Sequence, residues 1–290
     1  MSQAKECVWL IGAESFTGHY LRTTLEDDGY RVAVTPIDIT CADAVQTALL
    51  AIQPQYIINL AAISFVPDGA DASIYGVNCF GPENILAASL QLKTPPKHII
   101  LASSANIYGA QSQEIIDESC LSQPVNHYGC SKWAMEQIAA TYAERLNITI
   151  TRPFNYTGRG QQEKFLVPKI VAHFKQRADT IELGNIDIWR DFSDVRWISQ
   201  AYSQLLASTN TGLAIVNLCS GQLISIREII AILEGLSKHK MNVVVNPDFV
   251  RRSDIVRQRG DNGHLLKMIP AILQPPYFNK TLAWMLGEND

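Results

Sequence analysis

Residues 8–18 read Val-Trp-Leu-Ile-Gly-Ala-Glu-Ser-Phe-Thr-Gly, an apolar run broken at Gly12 and followed by amphipathic chain after Gly18. The pattern dictates a strand, a turn and a helix. Val8 to Ile11 carries the bulky side chains of a buried strand, and Gly12 can take a turn closed to residues with a Cβ. Beyond Phe16, Leu21 and Leu25 share one helix face before Gly29 stops it. A helix starting here aims its free backbone N–H groups over the turn, where they suit a pyrophosphate, and Gly18 lets it pack closely on the sheet. The spacing is G-x-x-S-x-x-G, with Ser15 where a middle glycine would allow closest phosphate approach. An ordinary strand–turn–helix junction has the same outline, so the surrounding chain decides between the two.

Outward from this turn the alternation repeats. Strands are expected over 31–34, 56–60, 98–103 and 148–152. Between them fall a helix that Thr40 and Asp43 would open as a capping box and Pro54 would close, a longer helix over 73–92, and one beginning near Tyr128. Strand then helix, repeated, implies right-handed crossovers and an α/β fold with a Rossmann-like doubly wound parallel sheet. After about Gly158 the rhythm changes to a helix over 167–177 and a short strand over 181–183. It returns with a helix over 195–207 and a strand over 213–219, before a Pro-rich tail. The expected division is a dinucleotide-binding domain over 1–160, rejoined by 195–220, and a smaller C-terminal α/β substrate lobe over 161–194 and 221–290. A cleft between them would hold the substrate.

The 290 residues are 47% apolar and 18% charged, a globular composition. Twenty-four basic and 28 acidic side chains leave a net charge of −4, which gives no broad attraction to nucleic acid or an anionic membrane. Neither is an expected partner. The apolar start runs directly into turn chemistry and reads as a strand rather than an export signal. The longest apolar stretch, around 56–66, is too short to span a bilayer. Cys7, Cys41, Cys79, Cys120, Cys130 and Cys219 are scattered, so six reduced thiols in the cytoplasm are expected. None of the six histidines sits in a motif such as H-E-x-x-H, and no metal is expected.

A second stretch bears on chemistry. Asn126 to Trp133 reads N-H-Y-G-C-S-K-W, with Tyr128 and Lys132 four apart and so on one helix face. The apolar strand ending at Ser103-Ser104 should finish near the centre of the sheet, at the carboxyl edge where α/β proteins bind ligands. A hydroxyl from Ser104, a phenol from Tyr128 and an ammonium from Lys132 would then converge. A nearby ammonium is expected to lower the phenol pKa and make tyrosine a usable acid–base.

With Gly12, Gly18, Ser104, Tyr128 and Lys132 in this order, the chain resembles the extended short-chain dehydrogenase/reductases over nearly its whole length. Asn59-Leu-Ala-Ala62, Val77-Asn78-Cys-Phe-Gly81, Ser103 to Gly109 and Arg152-Pro-Phe-Asn155 extend the likeness. The resemblance implies Ser104, Tyr128 and Lys132 as catalytic. It also implies a cofactor site of Gly12, Ser15, Phe16, Thr17, Gly18, Asp38, Ile39, Leu60, Ala61 and Ala62, with Tyr128 and Lys132, around NAD(H) or NADP(H). Thr35-Pro36 offers neither an acid for a ribose 2′-hydroxyl nor an arginine for a 2′-phosphate. Asp38 could meet the adenine edge instead, and Glu14 would repel a 2′-phosphate, so the choice stays open. The helix over 73–92 and the tyrosine helix resemble the pair that forms a four-helix homodimer interface, with Trp133 and Trp197 in core or interface.

Later segments narrow the likeness. Arg152 to Gly158 with Gly160-Gln161, Leu183-Gly-Asn185 with Arg190 to Arg196, and Arg252-Ser-Asp254 with Arg259-Gly-Asp261 look like GDP-4-keto-6-deoxy-D-mannose reductases and GDP-mannose 4,6-dehydratases. That implies Ser64, Ser104, Asn106 and Asn155 at the sugar, and Arg190 and Arg252 on the nucleotide diphosphate, whose oxygens suit guanidinium forks. Arg251, Arg252, Arg257 and Arg259 concentrate positive charge, as a solvated basic loop also would. The dehydratases carry a glutamate two residues after the catalytic hydroxyl, and here that position is Asn106. An amide is no base at neutral pH, which leaves hydride transfer to a carbonyl. The resemblance therefore implies NAD(P)H-dependent reduction of the C4 ketone of GDP-4-keto-6-deoxy-D-mannose to GDP-D-rhamnose or its C4 epimer, GDP-6-deoxy-D-talose. A nucleotide-sugar C4 epimerase would use the same three side chains, whereas a non-catalytic cofactor-sensing protein would have no need of them.

Overall fold

The computed structural model describes residues 5–64, 73–208, 211–249 and 256–288. The first half runs β1 (Cys7–Ile11), α1 (Phe16–Asp27), β2 (Arg31–Ala33), α2 (Ala42–Ile52), β3 (Tyr56–Asn59) and α3 (Ser73–Tyr75). A π-helical turn (Gly76–Phe80) leads into α4 (Gly81–Ser89), followed by β4 (His98–Ala102), β5 (Ile115–Ile116), α5 (His127–Ala140) and β6 (Ile148–Pro153). The second half runs β7 (Asn155–Thr157), α6 (Leu166–Lys175), β8 (Thr180–Leu183), β9 (Trp189–Asp194), α7 (Val195–Leu206) and β10 (Leu213–Leu218). Then come β11 (Leu223–Ser225), α8 (Ile226–Ser237), β12 (Asn242–Val245), β13 (Arg257–Gly260), α9 (Gly263–Met268) and α10 (Phe278–Leu286).

Six strands form one parallel sheet in the order β10-β6-β4-β3-β1-β2. Its central strands are mostly apolar and buried because both faces are covered, as a parallel sheet requires. Val8, Leu10, Ile58 and Ile100 pack against Leu21 and Leu25 of α1 and Ile198 and Tyr202 of α7. The alternate residues Trp9, Ile11, Ile57, Ile99 and Leu101 meet Leu49 of α2, Ile85 and Leu86 of α4, and Met135 of α5. The doubly wound sheet is thus a direct outcome of the period-two alternation.

A second sheet has the order β11-β9-β13-β5, with β7 also paired to β9, and β8 pairs with β12 apart from both. Beneath these strands α6, α8 and α10 enclose Val167, Ile170, Phe174, Ile229, Leu233 and Leu282. Strand β5 comes from within residues 1–160 yet bonds to β13. The fully buried Asp191 of β9 accepts from Ser220 N (2.9 Å) and Oγ (2.7 Å), Gly221 N (2.9 Å) and Gly260 N (3.2 Å). Burial raises its pKa and these donors oppose the rise. One carboxylate therefore staples the β10–β11 turn and the end of β13 to β9. Among the described residues, no helix is long and apolar enough to cross a membrane.

Local details depart from the sequence expectations. The capping box is not formed, because Asp38 Oδ1 takes both the Thr40 N–H (2.9 Å) and its hydroxyl (2.7 Å) in an Asx turn. Helix α2 instead starts after Cys41, without a side-chain cap, and ends with Gln53 in the left-handed region (φ 46°) ahead of Pro54. The helix expected over 73–92 ends at Ser89 and is interrupted by the π turn, where buried Asn78 bonds Ile63 N (2.8 Å), Ile63 O (2.9 Å) and Ser131 Oγ (3.1 Å). Trp197 is core, its Nε1–H donating to Leu273 O at 2.8 Å, while Trp133 is 42% exposed on α5.

Helix α5 is tied to the sheet by a buried ion pair. Arg152 of β6 donates Nε to Glu136 Oε1 (3.1 Å) and an Nη to Oε2 (2.6 Å), and a further bond runs to the Tyr108 phenol (2.9 Å). Removing one partner of such a pair strands the other charge, whereas exchanging both for apolar residues often costs little. Glu136→Ala is expected to lower stability by about 3–5 kcal/mol. Urea unfolding would show this as a lower midpoint, with the Glu136→Leu/Arg152→Met double variant closer to wild type.

Candidate active site

All six strands of the central sheet point the same way, so β1, β3, β4 and β6 end at one edge. Chain connections diverge between β1 and β3, and such a switch point is where α/β proteins hold ligands. Gly12 lies there with φ +83°, and a Cβ on it would sit 2.9 Å from Ala61 N and 3.1 Å from Leu60 C. A Cβ on Gly18 would fall 2.2 Å from Gly12 O. Both clashes are with backbone, so neither neighbour can yield cheaply. Ser15 caps α1 by accepting Gly18 N at 3.0 Å. The open helix N-terminus above a side-chain-free cradle fits a dinucleotide pyrophosphate. Leu60, Ala61 and Ala62 form the opposing wall, with Leu60 N bonded to Ile11 O (2.9 Å) and Ala61 N to Asn59 Oδ1 (3.1 Å).

Phe16 and Thr17 are both engaged by a residue that sequence reading missed. The Tyr156 ring stacks on Phe16 (6.3 Å, 10°), and its phenol shares a hydrogen bond with Thr17 Oγ1 at 2.8 Å. Tyr156 thereby locks β7 to the glycine turn. Its only sequence signal was adjacency to Asn155.

Ser104, Tyr128 and Lys132 come together at the same edge. Ser104 follows β4, is 6% exposed, and its hydroxyl acts on the Tyr128 phenol in the sense that lowers the phenol pKa. Asn126 starts α5, its side chain accepting Gly129 N at 2.8 Å, so Tyr128 lies in the first turn. A Cβ on Gly129 would meet Asn106 O at 2.8 Å, so this turn packs directly against the segment after Ser104. Lys132 is 2% exposed and donates Nζ to Ala102 O at 2.7 Å.

The phenol departs from expectation. Burial pushes Tyr128 up to about 12, with the Ser104 hydrogen bond opposing the rise. Sequence spacing predicted a lowered value through Lys132, but that ammonium is directed to the Ala102 carbonyl. Burial in turn pulls Lys132 down to about 8, against the favourable charge of Glu136 one turn on. Tyr128 is therefore a neutral phenol, a proton donor in waiting.

The remaining expected residues are less concentrated. Asp38 is exposed and held by Thr40, and Ile39 is core, touching the Gly81 position of α4. No hydrogen bond among the described residues ties Asp38 to the glycine turn. Ser64 is exposed beyond β3, and Asn155 donates Nδ2 to Asp191 O at 3.2 Å. Arg190 of β9 donates to Trp189 O at 2.9 Å. Arg251 and Arg252 lie outside the described residues. Of their basic neighbours, Arg257 pairs with Glu114 (2.8 Å) and Arg259 donates to Gly221 O (3.0 Å), so this charge is partly spent within the protein. A depression lined by Tyr56, Lys97, His98 and Asn147 opens at the amino edge of the sheet, the wrong end for α/β ligand binding. Among the described residues no acidic, His and Cys cluster could hold a metal.

Residues 6–267 match the GDP-mannose 4,6 dehydratase family model. GDP-6-deoxy-D-talose 4-dehydrogenase of Aggregatibacter actinomycetemcomitans is 35% identical over 289 residues, covering 95% of this chain and 98% of its own. GDP-6-deoxy-D-mannose reductase of Pseudomonas aeruginosa is 30% identical over 273 residues, covering 89% of each. The solved structure of RMD from Pseudomonas aeruginosa complexed with NADPH superposes with a TM-score of 0.86 at 27% identity, covering 97% of this chain and 98% of that one.

The depressed Lys132 pKa has a signed consequence. Between pH 8 and 10.5 the unfolded chain holds a proton here that the native state has released, so stability should rise with pH across that window. Relative to Lys132→Met, the wild type is expected to gain on the order of 3 kcal/mol over this range. Parallel denaturation series of the two proteins at pH 7.5 and 10.5 would read the difference.

Proposed function

The chain belongs to the GDP-mannose 4,6-dehydratase family, and from that premise we propose that it reduces the C4 ketone of GDP-4-keto-6-deoxy-D-mannose. The observation that carries this reading is a neutral, half-buried phenol beside a serine hydroxyl, with an amide at position 106 rather than a carboxylate base. Elimination of water needs a base at the sugar, and carbonyl reduction needs an acid. The site holds the acid.

A bound nicotinamide would supply the hydride. Tyr128 gives its phenolic proton to the oxygen as negative charge develops there, and Ser104 donates a hydrogen bond to the same atom. Lys132, anchored on Ala102 O, keeps further N–H donors for the cofactor ribose and stabilises the phenolate left behind. Gly12, Ser15, Phe16, Thr17 and Gly18 with Leu60 to Ala62 bind the dinucleotide, and Asp38 and Ile39 bound its adenine end. Ser64, Asn106 and Asn155 hold the sugar, and Arg190 and Arg252 hold the diphosphate. The lobe built from 161–194 and 221–290 would carry most of the nucleotide-sugar contacts. Of the two C4 epimers, GDP-6-deoxy-D-talose is named by the more similar of the two relatives and is the product assigned first, ahead of GDP-D-rhamnose.

Six free cysteines suit the reducing cytoplasm, where we place the reaction. A second copy is the partner proposed for the face carrying Phe80 (53% exposed) and Trp133 (42% exposed), large apolar groups on adjoining helical segments. Pairing this face about a two-fold axis gives a four-helix bundle. Trp133→Glu should convert a dimer to a monomer in sedimentation, and an unchanged mass would remove this interface.

The assay is nicotinamide absorbance after mixing the protein with GDP-4-keto-6-deoxy-D-mannose and NADH or NADPH. Oxidation of one cofactor is expected, and Tyr128→Phe should abolish it while leaving cofactor binding intact. Turnover retained by that variant would sink the assignment. Tightly held NAD without net consumption would indicate a C4 epimerase, and the proton coupling at C4 of the product identifies the epimer.

A further inference from the structure

Ser104 caps the 3-10 turn Ala105–Ile107, and its hydroxyl also acts on the Tyr128 phenol. A serine hydroxyl has one hydrogen to donate and two lone pairs to accept with. Here Ser104 Oγ accepts the Asn106 backbone N–H at 3.2 Å and the Asn106 side-chain Nδ2–H at 3.0 Å. One residue thus occupies both lone pairs. No lone pair of Ser104 is left for the Tyr128 phenol, so toward that phenol the serine hydroxyl can act only as a donor.

We propose that Asn106 is a positioning residue that fixes Ser104 as a hydrogen-bond donor, leaving the Tyr128 proton unspent. Two O–H donors then face one carbonyl oxygen. The inference rests on the reading of Ser104 and Tyr128 given above, and adds a reason for the amide beyond its lack of basicity. Were the Ser104 lone pairs open, Tyr128 could give its hydrogen to Ser104, and the acid would be tied up inside the protein. A carboxylate at position 106 would act in the opposite sense. It would accept the Ser104 hydrogen and turn the hydroxyl away from the ketone. The contact of Asn106 O with the Gly129 position keeps this arrangement in register with the first turn of α5. Asn106 is exposed and the altered group is small, so the variants should fold.

The test uses the full-length enzyme with its reduced cofactor and the keto-sugar. Asn106→Asp and Asn106→Ala are each made in wild type and in Ser104→Ala. Asn106→Asp is expected to lower kcat about 100-fold, the scale of losing one oxyanion donor. Asn106→Ala, which frees one lone pair but keeps the backbone bond, should lower it about 10-fold. KM for the cofactor should be unchanged in both. In the Ser104→Ala background neither change should cost anything more, because a residue acting through Ser104 is silent without it. Losses that multiply in the double variants, or that fall on KM alone, would overturn the inference while leaving the site reading intact. If Ser104→Ala itself keeps wild-type kcat, the site reading fails, and the inference fails with it.

Discussion

Three charges buried along one seam hold the rest in place. Lys132 and Glu136 lie one turn apart on α5, and Arg152 reaches Glu136 from β6. Buried ions are costly unless paired and hydrogen-bonded, so each restricts the geometry of the next. Arg152 completes its shell with the Tyr108 phenol and Glu118 O (3.4 Å), and Tyr108 bonds Asn217 Oδ1 of β10 at 2.7 Å. The seam therefore fixes α5 against β4, β6 and β10 together. Tyr128, one turn before Lys132 on the same helix, inherits its place from this network.

The same burial sets the two titrations that matter. Removing water disfavours whichever form is charged, so it raises the phenol and lowers the ammonium. The two shifts carry the groups from near equality in water to about 12 and about 8, so a proton shared between them rests on the phenol. Environments of this kind let ordinary side chains carry out acid–base chemistry near neutral pH. Ser104 opposes the rise of the phenol.

Much of this was legible in the sequence, for identifiable reasons. The central strands could be read because burial on both faces removes polar residues, and the glycine turn because a Cβ at Gly12 or Gly18 would strike backbone. The Ser104, Tyr128 and Lys132 set was visible from order and spacing. Glu136 was not, since a glutamate four residues after a lysine looks like any solvated helix pair. Spacing also gave Lys132 the wrong target, because i, i+4 proximity does not reveal a competing carbonyl such as Ala102 O. The Thr40 cap failed similarly, through a nearer acceptor at Asp38. Tyr156 and Asp191 act across long sequence separations and had no local signature.

The Asp191 staple also constrains the order in which the molecule can assemble. Its donors lie 29, 30 and 69 residues further along the chain. None of these bonds can form until the intervening loops have closed, and the entropy of closure must be met before the contacts compensate it. Strand β10 belongs to the first sheet and β11, just after the Ser220–Gly221 turn, to the second. The carboxylate therefore ties the edge of the first sheet to the second, and its bond to Gly260 closes the longest of these loops.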